Sequence, residues 1–454
     1  MKLFSLRLTT LKSKLYAIVF ASFVVRVVGF FLLPSEPIFA LALDEGSYSE
    51  IAKLVANEQP LASYERLYTV SRTLVLPASA LIDFGLEPLA SVRIIASIYG
   101  VLSLILIAFI IIQSVNKYSS HSEFTLKRSN LIIGLFIVFA FLPSHLLWSM
   151  LGLRESPMEF WVLCSLAAIF LAVNLQEKVT FPTALLLIIS ITLLFNTRSQ
   201  VAWLLLVTIL ISLIFCNIRR VAFALALLTL FASGVGYTSV ALQKHDVFQL
   251  VATDGSSTDG SACQNSNQII MLQEKKYKCI KTGTKRDFSD LQNPGKIIVQ
   301  EATAIPDRHK GNQVAAASVI QTLSCPVTEE SETDKFFCLA WRSPYMAATF
   351  LFRPLIGIDT TSTSSLIAAI ENIAWLGAVA LIIIMLIKKR QLAFIGPLAP
   401  SLIFFILYCV GAGSYEGNMG TAFRHKSLIL WVILLLLASV IVAKKRPKSR
   451  NESA

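Results

Sequence analysis

Two adjacent carboxylates, Asp44 and Glu45, follow the first long apolar run of the chain, in the stretch LALDEGSYSEIAK at residues 41–53. An ionised carboxylate that reaches a hydroxyl group can act as a general base, so the pair is a candidate for acid–base chemistry. Apolar residues recur behind the pair at helical spacing, at Tyr48, Ile51, Ala52, Leu54 and Val55. The pattern predicts an amphipathic helix that begins with the two acids and lies along a membrane surface. The competing interpretation is that both acids are simply solvated.

Arginines in two short predicted loops are further candidates. Arg154 and Glu155 stand together in SMLGLRESPMEFW, and Arg198 stands in FNTRSQ. A guanidinium can hold a phosphate or a carboxylate through paired hydrogen bonds. The alternatives are a helix-end ion pair or a snorkelling arginine for Arg154, and a topological spacer for Arg198.

A third candidate stretch, GSYEGNMGTAFRHKSLILW, precedes the last apolar run. It contains Asn418 and three consecutive basic residues, Arg424, His425 and Lys426. Cations on the outer side of a membrane run against the usual bias of basic residues toward the cytoplasm. This favours a binding site over three charges at a membrane edge.

Composition indicates the class of protein that positions these residues. Of 454 residues, 55% are hydrophobic and 15% are charged, and the mean hydropathy is +0.67. Soluble domains are about a quarter charged, so the sequence predicts an all-α polytopic membrane protein. The net charge of +12 comes from basic residues at the ends of apolar runs. That distribution follows the positive-inside rule and argues against nucleic acid as a partner.

Apolar runs of membrane-crossing length predict ten spans with both termini in the cytoplasm. The runs are 15–33, 93–115, 131–149, 158–174, 180–196, 201–217, 221–242, 366–387, 391–411 and 427–443. The first run lacks a small-residue cleavage site, which favours a retained signal anchor. The segment 73–85 is apolar but contains Pro77 and Asp83, so we expect a re-entrant or interfacial helix there.

The runs divide the chain into three predicted parts. Residues 1–242 form a transmembrane half that includes the first outer loop, 34–92, and residues 243–365 form a large polar outer loop. Residues 366–454 form the C-terminal spans and a basic cytoplasmic tail.

Four of the seven cysteines fall in the large outer loop, at Cys263, Cys279, Cys325 and Cys338. An even number on the oxidising side predicts two disulfides. Three pairings are possible, and the local one, Cys263 with Cys279 and Cys325 with Cys338, is favoured. A zinc site of four thiolates is the alternative, although CxxC spacing is lacking.

The acidic pair, with Tyr48 shortly after it in the first outer loop, resembles the C-type (GT-C) polytopic membrane glycosyltransferases. Relatives in that superfamily include protein O-mannosyltransferases and aminoarabinose transferases. The Arg154–Glu155 pair is similar to one in bacterial members. The run NMGTAFRH, with FLFRPLIG and IENIAW, resembles an exopolysaccharide and O-antigen subgroup. The large outer loop departs from members that carry a soluble C-terminal domain.

The resemblance implies an inverting transfer of a hexose or pentose from a polyprenyl-phosphate donor, at the periplasmic face of a bacterial inner membrane. The acceptor would be a glycan, a lipid or a protein. Asp44 would be the catalytic carboxylate, assisted by Glu45. The implied substrate-binding residues are Tyr48, Arg154, Glu155, Arg198, Asn418, Arg424 and His425.

Two rival functions fit parts of the same pattern. An O-antigen polymerase-type enzyme also predicts outer-loop arginines but does not need the acidic pair. A transporter of lipid-linked sugars predicts charged or broken spans at mid-membrane, whereas the predicted spans have almost no charges at their centres. No cofactor is implied, and a divalent cation is left open.

The predicted topology can be tested with reporter fusions. Because the basic loops alternate along the chain, fusions at Gln200 and Asp254 should report an outer location and a fusion at Ser120 a cytoplasmic one. A cytoplasmic signal at Asp254 would contradict both the topology and the assignment of the site to the outer face.

Overall fold

The structure is a computed structural model that describes most of the helical part of the chain. The described residues are 2–36, 43–59, 61, 64–118, 125–176, 178–214, 219–241, 244–252, 257–259, 269–272, 275–286, 332–356, 359, 363–389, 398–416 and 419–442. They form sixteen α-helices and four β-strands.

The helices before the large outer loop are α1 (Lys2–Leu32), α2 (Leu43–Ala56), α3 (Glu65–Thr69), α4 (Arg72–Asp83), α5 (Pro88–Tyr118), α6 (Leu126–Ala140), α7 (Pro143–Met150), α8 (Glu155–Phe170), α9 (Phe181–Phe195), α10 (Ser199–Ile214) and α11 (Arg219–Ala241). The later helices are α12 (Glu332–Phe352), α13 (Thr363–Lys389), α14 (Ala399–Tyr415), α15 (Met419–Lys426) and α16 (Leu430–Val442). A π-helical turn, Leu171–Gln176, extends α8, and a 3₁₀ turn, Ser427–Ile429, joins α15 to α16.

Helix length and composition confirm a multi-pass membrane protein. Among the described residues, six helices are long and apolar enough to cross a membrane. A seventh span results if α6 and α7, which are bent by 46° at their junction, cross together. The six are Leu8–Leu32, Pro88–Lys117, Glu155–Val173, Arg219–Tyr237, Ser365–Ile384 and Gly420–Ser439.

The number of ten spans stays a prediction. Each of the ten apolar runs contains a described helix, but α9, α10 and α14 are shorter than the six. A helix of 15 residues, such as α9, extends only about 23 Å, whereas the hydrocarbon core is about 30 Å thick.

The segment between α11 and α12, which was predicted to be an outer loop, contains a sheet that the sequence did not predict. Strands β1 (Lys244–Ala252), β2 (Ser257–Asp259), β3 (Ile269–Leu272) and β4 (Lys275–Arg286) pair antiparallel in the order β2-β1-β4-β3. The all-α prediction therefore holds for the membrane part only.

The predicted disulfides are only partly within the described residues. Cys279 lies in β4, and Cys338 lies in α12 and is disulfide-bonded. Cys263 and Cys325 lie outside the described residues, so the pairing stays a prediction. Cys164 and Cys409 are free and buried, as expected of packing residues in apolar helices.

Helices of the first outer loop build a small core of their own beside the membrane helices. Tyr48, Ile51 and Ala52 of α2 are buried with residues of α4, of α5 and of the turn after α7. The predicted amphipathic helix is confirmed, and so is a helix in the segment 73–85. The prediction that the apolar face of α2 lies on the membrane surface is wrong, because that face packs against protein.

Close helix packing makes a testable prediction at Gly413 in α14. A Cβ atom there would lie 2.5 Å from the Met346 carbonyl oxygen and 2.9 Å from the Ala347 nitrogen, both backbone atoms of α12. Gly413→Ala should therefore lower the thermal stability of the purified protein, since overpacking costs about 1–3 kcal/mol. Gly411→Ala is the matched control on the same helix, because nothing lies within 4 Å of its Cβ position. Equal melting temperatures for the two variants would contradict this close contact.

Candidate functional site

An ion-pair cluster lies where α2, α8 and α15 meet. Arg424, near the end of α15, donates from Nη2 to Asp44 Oδ2 over 3.1 Å, and Asp44 lies in the first turn of α2. The Arg424 Nε atom is also 3.2 Å from Oε1 of Glu155, the first residue of α8. One arginine thus links two carboxylates from distant parts of the chain.

His425 extends the cluster toward α10 and the end of α14. Its Nδ1 atom lies 2.5 Å from Oε1 of Glu416, and its Nε2 atom lies 2.9 Å from Nη1 of Arg198. Arginine can only donate, so Nε2 accepts in this contact and Nδ1 carries the proton toward Glu416. The Nε2 atom is also 3.4 Å from Glu155 Oε1.

The described cluster balances its formal charges. Three arginines, Arg154, Arg198 and Arg424, accompany three carboxylates, Asp44, Glu155 and Glu416. Pairing of this kind is what allows ionised groups to be withdrawn from water. Burial by itself would raise the pKa of Glu416, but the neighbouring His425 and the two arginines Arg198 and Arg424 lower it.

Asp44 is the carboxylate of this cluster that water and a substrate can reach. Its side chain is 38% exposed, whereas the side chains of Glu155 and Glu416 are each 3% exposed. A general base must contact the group that it deprotonates, so Asp44 meets the geometric requirement better than the other two acids.

Three buried donors in the cluster lack a hydrogen-bond partner among the described residues. These are the Tyr48 hydroxyl, the Arg154 Nε atom and the Arg424 Nε atom, and the last of them lies 3.2 Å from Glu155 Oε1 in an ion pair. The Arg154 Nη1 atom makes only a long contact of 3.5 Å with the Val70 carbonyl oxygen. Buried polar atoms are normally hydrogen-bonded, so these donors suit an anionic ligand.

Electrostatics in this corner of the cluster follow from burial and the nearby charges. Burial raises the pKa of Tyr48 to about 12, with further contributions from Glu155 and Asp44. For Arg154, burial alone would lower the pKa, but Tyr48, Glu155 and Asp44 raise it. Tyr48 therefore stays a neutral donor and Arg154 stays charged at neutral pH.

Glu45 has a different environment from that of its neighbour Asp44. Its carboxylate is fully buried and accepts two bonds from Arg93 of α5, from Nε over 2.7 Å and from Nη2 over 3.0 Å. It also accepts the backbone N–H of Gly152 over 2.9 Å. Arg93 in turn donates to the carbonyl oxygens of Pro34 and Glu36 after α1. We call this group the Glu45 clasp.

The Glu45 clasp requires a residue without a side chain at position 152. A Cβ atom on Gly152 would lie 2.5 Å from Val92 Cγ2 and 3.4 Å from Glu45 Cγ. The clasp therefore fixes the turn that leads into Arg154, as well as the start of α2.

The structure brings together most of the residues that the sequence singled out. Asp44, Tyr48, Arg154, Glu155, Arg198, Arg424 and His425 share one cluster. Glu45 lies beside the cluster in its clasp, and Asn418 lies outside the described residues. The sequence reasoning missed Arg93 and Glu416. An arginine in the first turns of a long apolar helix, and an acid two residues before Asn418, were signals that pointed to them.

A second buried polar group lies between α1, α7 and α8. Arg26 donates to Ser149 Oγ over 2.9 Å and approaches His145 Nδ1 at 3.1 Å, and His145 Nε2 lies 3.4 Å from Glu159 Oε1. His145 and Trp148 are both buried, as expected of core residues.

Within the described ranges, no group of three or more histidine, cysteine, aspartate or glutamate side chains is arranged to hold a metal ion. The chain matches no protein-family model, no curated protein and no solved structure. The resemblance drawn from the motifs therefore stays a prediction.

The Glu45 clasp generates a stability prediction. Arg93→Met should destabilise the protein by about 3–5 kcal/mol, because it leaves the buried Glu45 carboxylate without its cation. The double variant Arg93→Met/Glu45→Gln should recover part of this loss, since it also removes the uncompensated charge. Thermal unfolding in detergent would measure both. A double variant no more stable than Arg93→Met would contradict a buried ion pair at this place.

Proposed function

We propose that this chain is a membrane glycosyltransferase that transfers a sugar from a polyprenyl-phosphate-linked donor to a glycan, lipid or protein acceptor. The observation that carries the proposal is the contact of Asp44 with Arg424 in a cluster that also holds Glu155 and Arg154. An accessible carboxylate beside several guanidinium groups suits a reaction that needs a base at one reactant and cations at the other.

In the proposed step, an acceptor hydroxyl oxygen attacks the anomeric carbon while the bond from that carbon to the phosphate oxygen breaks. Asp44 takes the hydroxyl proton, and the electron pair of the broken bond leaves with the polyprenyl phosphate. Attack from the side opposite the phosphate inverts the anomeric centre. The atoms and charges balance without any further reactant.

Each side chain has a role that its surroundings support. Arg424 holds the Asp44 carboxylate in place before the reaction, because the two are in direct contact. Arg154 and the Tyr48 hydroxyl offer donors to the leaving phosphate, since both carry buried polar atoms without hydrogen-bond partners among the described residues. Glu155 and Arg198 orient Arg424 and His425 through the contacts described above.

Glu45 acts as a positioning residue in this proposal. Its carboxylate is enclosed by Arg93 and Gly152 and is fully buried, so it holds α2 in place and leaves the substrate to Asp44. The assisting role expected for Glu45 thus becomes an indirect one.

The proposed location follows from the charge pattern of the loops. We place the cluster on the periplasmic side of a bacterial inner membrane, with both termini in the cytoplasm and ten helical crossings. A donor that is anchored in the bilayer would then meet its acceptor at the outer ends of α8 and α15.

The base hypothesis makes a testable prediction at Asp44. Asp44→Asn should lower the rate of sugar transfer by about 10²–10⁴-fold, because asparagine keeps the size of the side chain but cannot take up a proton. Binding of the polyprenyl-phosphate sugar should persist. The assay would follow transfer of radiolabelled sugar from that donor in proteoliposomes.

Two control variants accompany this test. Glu50→Gln removes an exposed acid of the same helix and should leave transfer unchanged. Glu45→Gln leaves Arg93 without its counter-charge and should lower stability, but per folded molecule it should cost less transfer than Asp44→Asn, because Glu45 does not contact the substrate in this proposal. Full transfer by Asp44→Asn would remove the main support for the proposal. Consumption of a diphosphate-linked oligosaccharide by that variant would favour the polymerase instead.

A further inference from the structure

Lys426, the last residue of α15, is buried to 1% exposure inside the helical part of the protein. Its amine donates to the Arg353 carbonyl oxygen over 2.7 Å and to Asn372 Oδ1 over 2.9 Å. The amine also lies 5.8 Å from the centre of the Phe423 ring. A buried basic side chain inside a membrane protein usually has a specific role and specific partners.

The partners of Lys426 belong to a second network that ties several helices together. Asn372, in α13, donates from Nδ2 to the Pro354 carbonyl oxygen over 3.0 Å. Asp359 closes the same turn by accepting the Arg353 Nε–H over 3.0 Å and the Leu355 N–H over 2.8 Å. Arg353 and Leu355, which follow α12, are therefore both hydrogen-bonded to Asp359 near the point where Lys426 contacts the chain.

Next to Asn372, the Glu371 carboxylate connects this network to α7. It accepts the backbone N–H of Ser144 over 3.1 Å, the Ser144 hydroxyl, and the Trp375 Nε1–H over 3.3 Å. The stretches FLFRPLIG and IENIAW, to which the sequence assigned no chemistry, thus meet at one buried lysine.

The position of Lys426 in the chain connects this network to the site. Arg424 lies two residues before Lys426 and His425 lies one residue before it, and these two side chains contact Asp44, Glu155 and Glu416. Helix α15 continues through the 3₁₀ turn into α16, and together they form the apolar helix Gly420–Ser439. The two bonds of Lys426 fix this helix at the junction, directly after Arg424 and His425.

We propose that Lys426 is a positioning residue whose bonds to Arg353 and Asn372 hold Arg424 and His425 in contact with the acids of the site. The expected effect of Lys426 on catalysis rests on the proposed function. Its effect on the placement of Arg424 and His425 does not. The Lys426 amine is already bonded to the Arg353 and Asn372 oxygens, so no contact with a substrate is assigned to it.

The geometric part is tested by cross-linking in the full-length protein in membranes. Asp44→Cys and Arg424→Cys together place two thiols where the ion pair stands, within reach of a short bifunctional thiol reagent. Adding Lys426→Met should lower the yield of this cross-link severalfold, measured by mass spectrometry of the joined peptides. Arg26→Met is the matched control, because Arg26 is an equally buried cation whose described bonds go to Ser22, His145 and Ser149.

The catalytic part is tested in the otherwise unaltered protein with the sugar-transfer assay. Lys426→Met should lower kcat by about 10- to 100-fold, because small misplacements of catalytic groups have effects of that size, with a smaller change in KM for the donor. Asn372→Leu removes the bond between Lys426 Nζ and Asn372 Oδ1 by changing the acceptor. The effects of the two substitutions on kcat should be clearly less than additive when they are combined. Asn372→Leu also serves alone if Lys426→Met does not accumulate in membranes.

The outcomes separate this inference from the proposed function. An unchanged cross-link yield, an equal fall with Arg26→Met, or a normal kcat in Lys426→Met would each overturn the positioning role. If the unaltered protein transfers no sugar while Lys426→Met still loses the cross-link, the proposed function fails and the geometric role of Lys426 stands.

Discussion

The buried ion pair between Glu45 and Arg93 is the interaction on which the arrangement of the site depends. Two charges withdrawn from water are costly unless each is fully paired, and this pair is bidentate with a further backbone donor from Gly152. The same guanidinium binds the carbonyl oxygens that follow α1. Four segments of the chain are therefore fixed relative to one another before any substrate contact is considered.

The Glu45 clasp fixes the orientation of α2 and therefore decides which of its side chains face the cluster. With Glu45 turned into the protein and Tyr48 buried behind it, Asp44 is left at the accessible edge of the cluster. The turn that contains Gly152 leads directly into Arg154 and Glu155. Precise placement of this kind is what makes a base and a set of cations effective, because catalysis depends on geometry as much as on residue type.

The other half of the site comes from the C-terminal helices. Arg424 and Asp44 are separated by 380 positions in the sequence and still touch. In our proposal this contact depends on the position of α15. Lys426 fixes that position through its bonds to the Arg353 carbonyl oxygen and to Asn372. In both halves a buried residue fixes the backbone beside a more accessible one that faces the site. Glu45 does this for Asp44, and Lys426 does it for Arg424.

The sequence by itself determined the class of the protein and the candidate residues. Low charge content and apolar runs indicated a multi-pass helical membrane protein, and helical periodicity placed the acids in the first turn of an amphipathic helix. Residue type and position in short loops were enough to single out Arg154, Arg198 and Arg424, because charged groups among apolar segments are rare and costly.

Only the tertiary structure decided what each of these residues contacts. Asp44 and Glu45 are neighbours in sequence, but successive helix positions point about 100° apart, so one faces the cluster and the other faces Arg93. From the sequence, the apolar face of α2 could have contacted lipid or protein. In the structure it packs against α4 and α5. Arg93 and Lys426 have partners far away in the chain, and local pattern carries no information about such partners. Glu416 contacts His425 across the break between α14 and α15. Those contacts are fixed by helix packing and by the need to pair every buried charge.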